Sequence, residues 1–201
     1  MIKVIYFDLG KVIVDFDYAV AVRELMKVTP LSAADVTAVL SDSSLINEYE
    51  TGKISTDEFY RVVSGMLKLQ VPMETFKQLW GNMFLPHPLL SESFLKSLKK
   101  RYRLILLSNT NEIHFQFVEE RYPILGHIEE RVLSYRVGYM KPDEKIYHTA
   151  VAKAGVPPEE ILFTDDREEN IDAARRMGIQ AIQFQSEDQL KREMKLMGVS
   201  S

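Results

Sequence analysis

Cysteine is missing from the 201-residue chain. Its absence excludes a disulfide framework and thiol chemistry, and it fits a reducing compartment. Long apolar runs are missing too. No stretch is long enough to cross a bilayer, and the apolar N-terminal run is short and broken by Asp8, unlike a secretory signal. A positive excess is also lacking: the formal net charge is −4, which leaves no basic footprint for nucleic acid. An anionic small molecule stays open, because local field rather than net charge decides its binding. There is neither a Gly-x-x-x-x-Gly-Lys-Ser/Thr loop nor a Gly-x-Gly-x-x-Gly turn, and no Gly-x-Ser-x-Gly elbow of a serine hydrolase. His87, His114, His127 and His148 show no metal-ligand spacing and read as ordinary surface or half-buried residues. What remains is a cytoplasmic globular chain, large enough for one domain or for one domain with an insertion.

The chain begins with an apolar run, Val4-Ile5-Tyr6-Phe7, that stops at Asp8 and resumes after Gly10. Short, β-branched and aromatic, it reads as a buried strand. Asp8 then stands at the carboxyl end of that strand, the edge at which open parallel sheets bind ligands. Taken alone, Asp8 serves a turn cap equally well. From Asp17 to about Pro86 the pattern is helical, with no convincing strand. Asp17 and Ser32 can cap helices, Ser55 and Glu58 have capping-box spacing, and Phe59, Val62, Val63, Met66 and Leu67 share one helical face. Pro72 suits a first turn, and Phe76, Leu79, Trp80 and Met83 follow. Such stripes are core, and together they predict a small helical bundle inserted after the first strand. Leu85-Pro86-His87-Pro88 marks its exit.

Beyond Pro88 strands alternate with helices. Arg103 to Ser108, Val132 to Ser134, Ile161 to Thr164 and Ile179 to Phe184 read as strands, which predicts right-handed crossovers and a parallel sheet. The fold class is α/β, a Rossmann-like sheet with a helical insertion. Three strands therefore end in polar groups: Asp8, Ser108-Asn109 and Asp165-Asp166, with Lys141 on a loop before a helix. Clustered carboxylates want a hard cation such as Mg²⁺. A hydroxyl, amides at a helix N-terminus and an ammonium make an anion pocket. A carboxylate beside both can act as nucleophile, and the set is phosphoryl-transfer equipment. Each member also has a plain reading: Asp165 or Asp166 as the cap of the next helix, Ser108-Asn109 as a turn, Lys141-Pro142 as an exposed loop.

In this order the motifs resemble the haloacid dehalogenase-like hydrolases over nearly the whole chain: Tyr6-Phe7-Asp8-Leu9-Gly10, Leu107-Ser108-Asn109-Thr110, Met140-Lys141-Pro142 and Phe163-Thr164-Asp165-Asp166. Together with Val14-Asp15 and Tyr49-Glu50-Thr51-Gly52-Lys53-Ile54-Ser55, they are most similar to the capped bacterial phosphatases of that family that act on glucose 1-phosphate and related sugar phosphates. The resemblance implies a core of residues 1–15 and 87–201 with a helical C1 cap over 16–86. It implies that Asp8 attacks phosphorus to give an aspartyl-phosphate. Mg²⁺ would be held by Asp8, the Gly10 carbonyl and Asp166, with Asp165 in support. Ser108, Asn109 and Lys141 would hold the phosphoryl oxygens, and the partner is a small phosphorylated metabolite.

One position departs from the family pattern. Phosphatases of this family usually carry a second Asp two residues after the nucleophile, to protonate the leaving oxygen, and here that position is Gly10. A positioned general acid is worth about 10²–10⁴ in rate. Either the leaving group needs little help, or Asp15, Asp17, Glu48, Tyr49 or Glu50 serves instead, or the protein binds a phosphorylated ligand with little or no turnover. A 2-haloacid dehalogenase also lacks that Asp but has no need of the acidic pair. Lys11, Arg23, Glu48 and Tyr49 are the candidate substrate contacts.

Overall fold

The computed structural model of the chain describes residues 1–128 and 130–200. In chain order its elements are β1 (Val4–Phe7), β2 (Val14–Phe16), α1 (Tyr18–Leu25), α2 (Ala33–Leu40), α3 (Ser43–Glu50), α4 (Thr56–Met66), α5 (Met73–Gly81) and β3 (Phe84–Pro88). Then come α6 (Glu92–Lys99), β4 (Arg103–Ser108), α7 (Glu112–Arg121), β5 (Glu130–Leu133), α8 (Ser134–Val137), α9 (Glu144–Ala154), β6 (Ile161–Asp165), α10 (Glu168–Arg176), β7 (Gln180–Gln183) and α11 (Glu187–Leu196). Among the described residues no helix is long and apolar enough to cross a membrane.

The first strand is fully buried and central. A parallel sheet runs in the order β5-β4-β1-β6-β7, with Phe7 level with Leu106 on one side and Thr164 on the other. Strand periodicity sends alternate side chains to opposite faces. Ile5, Phe7, Leu104, Leu106 and Leu162 join one core with α6, α7 and α11. Val4, Tyr6, Ile105, Leu107 and Phe163 join another with α9 and α10. Both faces are covered, which is why these strands read as unbroken apolar runs. Because β1, β4 and β6 are parallel, Asp8, Ser108 and Asp165 all arrive at the same sheet edge.

Helices α1 to α5 have a core of their own, built from Leu25, Val36, Tyr49, Phe59, Val63, Phe76 and Trp80, with Ile113 of α7 closing it from below. Its centre is aromatic: Tyr49 stacks on Phe59 at 4.1 Å between ring centroids, and Phe59 meets Trp80 edge-on at 5.0 Å. Such pairs add roughly 0.5–1.5 kcal/mol each beyond the area they bury.

The structure corrects several expectations. A strand does close the helical segment: β3 pairs antiparallel with β2, Val14 opposite Pro88 and Phe16 opposite Phe84. Its prolines are tolerated because a two-stranded ribbon leaves one side of each strand without a ladder. The segment also holds α3, whose sequence Ser-Ser-Leu-Ile-Asn-Glu-Tyr-Glu is too polar to announce itself. The reciprocal capping box lies at Ser32 and Asp35. At Ser55 only the hydroxyl caps, accepting from the Glu58 amide, while the Glu58 carboxylate reaches toward Arg61. Ser134 opens α8 rather than ending a strand.

Candidate active site

Lys141 is the centre of the sheet edge. Its ammonium donates to the Leu107 carbonyl at 2.9 Å, to Asp165 Oδ2 at 2.6 Å and to Asp8 Oδ1 at 2.9 Å. Three partners use all three protons. The side chain is 1% exposed. Burial alone would strip it of charge, but Asp165 and Asp8 outweigh burial and hold its pKa above the usual lysine value. The loop that delivers it is pinned by Asn109: Asn109 Nδ2 donates to the Lys141 carbonyl at 2.8 Å and Oδ1 accepts from the Lys141 amide at 2.7 Å.

Asp8 sits just past β1, its amide bonded to the Thr164 carbonyl at 2.9 Å and its carboxylate accepting from the Leu9 amide at 2.7 Å. Burial pushes this carboxyl up, Lys141 opposes, and the charge of Asp165 adds to the rise. Asp165 is fully buried, and both its oxygens are engaged. Oδ1 accepts from the Arg167 amide at 2.9 Å and from Asn170 Nδ2 at 2.9 Å, and Oδ2 takes Lys141. Burial would raise it, but Lys141 and these donors prevail and keep it ionised. Asp166, half-buried, is raised by desolvation and by Asp165. Two adjacent aspartates thus differ in kind: Asp165 is woven into the floor, and Asp166 faces the cavity.

The cavity above this edge has a volume of about 250 Å³. Its floor is Asp8, Gly10, Asn109, Lys141 and Asp166, its wall includes Lys11, Phe16 and Arg167, and its roof is Tyr18, Asn47 and Glu50. Of the expected site residues, Ser108 is off this surface. It is 1% exposed, and its hydroxyl donates weakly to the neighbouring Asn109 carbonyl at 3.3 Å. Arg23 and Glu48 point to solvent away from the cavity. Tyr49 is a correction as well. It is buried in the helical core, its hydroxyl 2.9 Å from Thr56 Oγ1 and accepting from the Ile113 amide at 3.3 Å, and burial pushes it up to about 12. Helical phase explains this: Asn47 and Glu50, three apart, share the cavity face, so Tyr49 turns inward. Asn170 and Asn47 were not singled out from sequence. Asn170 lies five residues past Asp165, a spacing that returns it to the same helix N-terminus.

Gly10 is enforced by its surroundings. A Cβ there would meet Phe16 Cε1 at 2.8 Å. Lys11 beside it takes φ 59°, a left-handed conformation that costs a non-glycine residue roughly 1–2 kcal/mol. The turn is held by Lys11, whose ammonium bonds Asp15 and donates to the Phe16 carbonyl at 2.9 Å.

Carboxylate oxygens of Asp8, Asp165 and Asp166 lie within 4.8 Å of one another. Two of the three carboxylates, Asp8 and Asp165, share one ammonium and Asp166 has no ion pair with it, an imbalance that an oxygen-seeking divalent cation relieves. The donor set fits Mg²⁺. It also sets a buried carboxylate, chemically able to act as a nucleophile, beside a fixed cation.

A profile of the haloacid dehalogenase-like hydrolases matches residues 2–178. D-ribitol-5-phosphate phosphatase of Bacteroides thetaiotaomicron is 33% identical over 192 residues, 91% of this chain and 92% of that protein. Among solved structures, the HAD family enzyme bt-2542 of the same organism superposes with a TM-score of 0.86 at 25% identity, covering 96% of this chain and 98% of that one. The same enzyme in complex with magnesium and inorganic phosphate superposes with a TM-score of 0.84 at 25% identity, over 93% and 96% of the two chains.

Proposed function

The chain belongs to the haloacid dehalogenase-like hydrolases and is a Mg²⁺-dependent phosphomonoester hydrolase, and we propose that it removes phosphate from a small phosphorylated sugar or polyol through attack by Asp8. The observation that carries this reading is Lys141 held between Asp8 and Asp165, beneath a cavity whose roof is polar. The substrate class is supported by the size of that cavity, by roof groups suited to hydroxyls, Asn47 and Glu50, and by the ribitol-phosphate activity of the relative. We read residues 16–86 as the cap and 1–15 with 87–201 as the core.

In this reading the Asp8 carboxylate attacks phosphorus in line and becomes an aspartyl-phosphate. Lys141 neutralises charge beside the attacking oxygen, and its three fixed bonds mean that little reorganisation accompanies the reaction. The Asn109 amide, at the mouth of α7, faces the phosphoryl group, while the Asn109 side chain holds Lys141 in place. Ser108, the last residue of β4, stands one residue before that amide, and a turn of its hydroxyl away from the Asn109 carbonyl would offer the phosphoryl group a further donor. Asp8, the Gly10 carbonyl and Asp166 would hold Mg²⁺, with Asp165 in support through Lys141 and Asn170. Bound there, Mg²⁺ supplies charge neutralisation that lets an anionic ester approach a cluster of carboxylates. A binder without turnover and a dehalogenase, both opened by Gly10, give way to phosphomonoester hydrolysis.

Phosphate release over a panel that includes ribitol 5-phosphate and glucose 1-phosphate tests the reading. Turnover that needs Mg²⁺ and disappears in Asp8→Asn supports it. Turnover that survives either change overturns it.

A further inference from the structure

Expelling the alkoxide of a sugar or polyol near neutral pH calls for a proton donor, and position 10 has no side chain to offer one. Phe16 fills the space where such a side chain would lie. The acids around the cavity can be taken in turn. Asp15 is held well below the usual range by its bond to Lys11 and also caps the Phe16 amide. Asp17 accepts from the Ala19 amide as the N-cap of α1 and is exposed. Glu48 faces solvent, and the Tyr49 hydroxyl is committed to Thr56 and Ile113. Asp8 and Asp166 belong to the floor. Tyr18 is raised by burial and by Glu50, which makes it a weaker donor still.

Glu50 is left. It closes α3 and lines the cavity roof above Asp8 and Asp166. We propose that Glu50, on the helical insertion, is the proton donor to the leaving-group oxygen, replacing the side chain that Gly10 lacks. The proposal rests on the phosphatase reading of the site. In the step, an Asp8 oxygen bonds to phosphorus as the bond from phosphorus to the ester oxygen breaks. The electron pair stays on that oxygen, and the Glu50 O–H proton moves to it, leaving an alcohol and a Glu50 carboxylate. Glu50 then regains a proton from solvent.

Its surroundings suit the task. Asn111, the N-cap of α7, hydrogen-bonds the Glu50 carboxyl and is itself fixed by the His114 amide at 3.0 Å. Glu50 therefore has a defined place over the sheet edge. Burial pushes it up to about 7, with the Asn111 bond opposing, so it carries its proton near neutrality. The last residue of a helix also faces the negative end of the helix dipole, which disfavours the carboxylate. The ionisable groups facing it are Tyr18 from α1, His114 from α7 and, across the cavity, Arg167, Lys11 and the floor set of Asp8, Asp166 and Lys141. Burial holds His114 down to about 4, so it brings no neighbouring positive charge at pH 7.

The test compares two esters in Glu50→Gln. With a polyol phosphate, whose alkoxide needs a proton, kcat should fall by about 10²–10⁴ with KM little changed. With 4-nitrophenyl phosphate, whose leaving group departs as an anion, the nitrophenolate burst should keep its wild-type rate, which also shows the variant folded. The basic limb of the kcat–pH profile for the polyol ester should vanish, and formate should partly rescue Glu50→Ala. An equal loss on both esters, or a raised KM at unchanged kcat, overturns the proposal while leaving the phosphatase reading intact. A wild-type protein that hydrolyses neither ester overturns both.

Discussion

Gly10 and Phe16 compete for one volume: a Cβ on Gly10 would stand 2.8 Å from the Phe16 ring. Phe16 cannot yield freely, because it packs edge-on against Tyr18 at 5.3 Å and Phe84 at 6.2 Å. Installing an aspartate at position 10 therefore overpacks the turn. Gly10→Asp should destabilise the protein by about 1–3 kcal/mol and should not restore polyol-phosphate turnover to Glu50→Gln. Adding Phe16→Ala makes room and should restore part of it. Thermal melts and phosphate release on the three backgrounds check this.

Lys141 is the only cation in contact with Asp8 and Asp165 among the described residues. Lys141→Met leaves two buried carboxylates without a counter-charge. Removing one partner of a buried pair costs about 3–5 kcal/mol, and that loss should appear in urea unfolding with chelator present. Mg²⁺ should recover part of it, since the ion supplies positive charge to the same oxygens. No recovery with Mg²⁺ would remove Asp8 and Asp165 from the metal site.

Asp165 and Asp166 are adjacent in sequence and should behave oppositely. Asp165→Asn loses the ion pair with Lys141 and one strong acceptor for the Arg167 amide and Asn170, so stability should fall with or without metal. Asp166→Asn removes a raised, repelled carboxylate, so metal-free stability should hold or rise. Ligand binding stabilises by mass action, and Mg²⁺ should raise Tm for wild type but not for Asp166→Asn. Differential scanning across a Mg²⁺ titration separates the two.

Stability should also depend on pH through Glu50 and His114, with opposite signs. Glu50 moves from 4.5 to about 7 on folding, so the folded protein binds more protons across that window and loses stability as pH rises from 4.5 toward 7. His114 moves from 6.5 to about 4, so the unfolded chain binds more protons and stability increases between pH 4 and 6.5. In wild type the slopes oppose each other. Glu50→Gln removes the falling one, so its urea midpoint should climb relative to wild type from pH 4.5 to 7.

The sheet and its edge are legible because buried parallel strands leave apolar runs, and Asp8, Ser108-Asn109 and Asp165-Asp166 stand at the ends of three of them, whereas Lys141, on a loop before α9, ends no strand, and only the order of the four motifs and their family resemblance lift these residues above caps and turns. Phase on the insertion was not legible. Without the bounds of α3 (Ser43–Glu50), nothing in Asn47-Glu48-Tyr49-Glu50 says that the first and last residues face the cavity while Tyr49 turns into the core. The β2–β3 ribbon was hidden for another reason: three residues and a Pro-His-Pro segment carry no alternation, and the pairing is set by the chain entering and leaving the insertion at one place. Ser108 stands at a strand end in the sequence, but the rotamer that turns its hydroxyl to the Asn109 carbonyl is not written there.

Gly52 shows how the insertion is seated on the sheet. It follows α3 by two residues, takes φ +67°, and a Cβ there would run into the Tyr135 carbonyl oxygen of α8. Thr56, just beyond, bonds Glu112 at the start of α7. This seam fixes the distance of α3, and so of Glu50, from Asp8. Gly52→Ala both strains the left-handed backbone and forces the seam apart. A shift of about 1 Å in a reacting group can cost 10²-fold in rate. Polyol-phosphate turnover should therefore fall by a factor of that order, while the nitrophenolate burst, which needs Asp8 but not Glu50, should change little. If the burst falls as far, the seam positions the core rather than the roof, and Glu50 is not what Gly52 keeps in place.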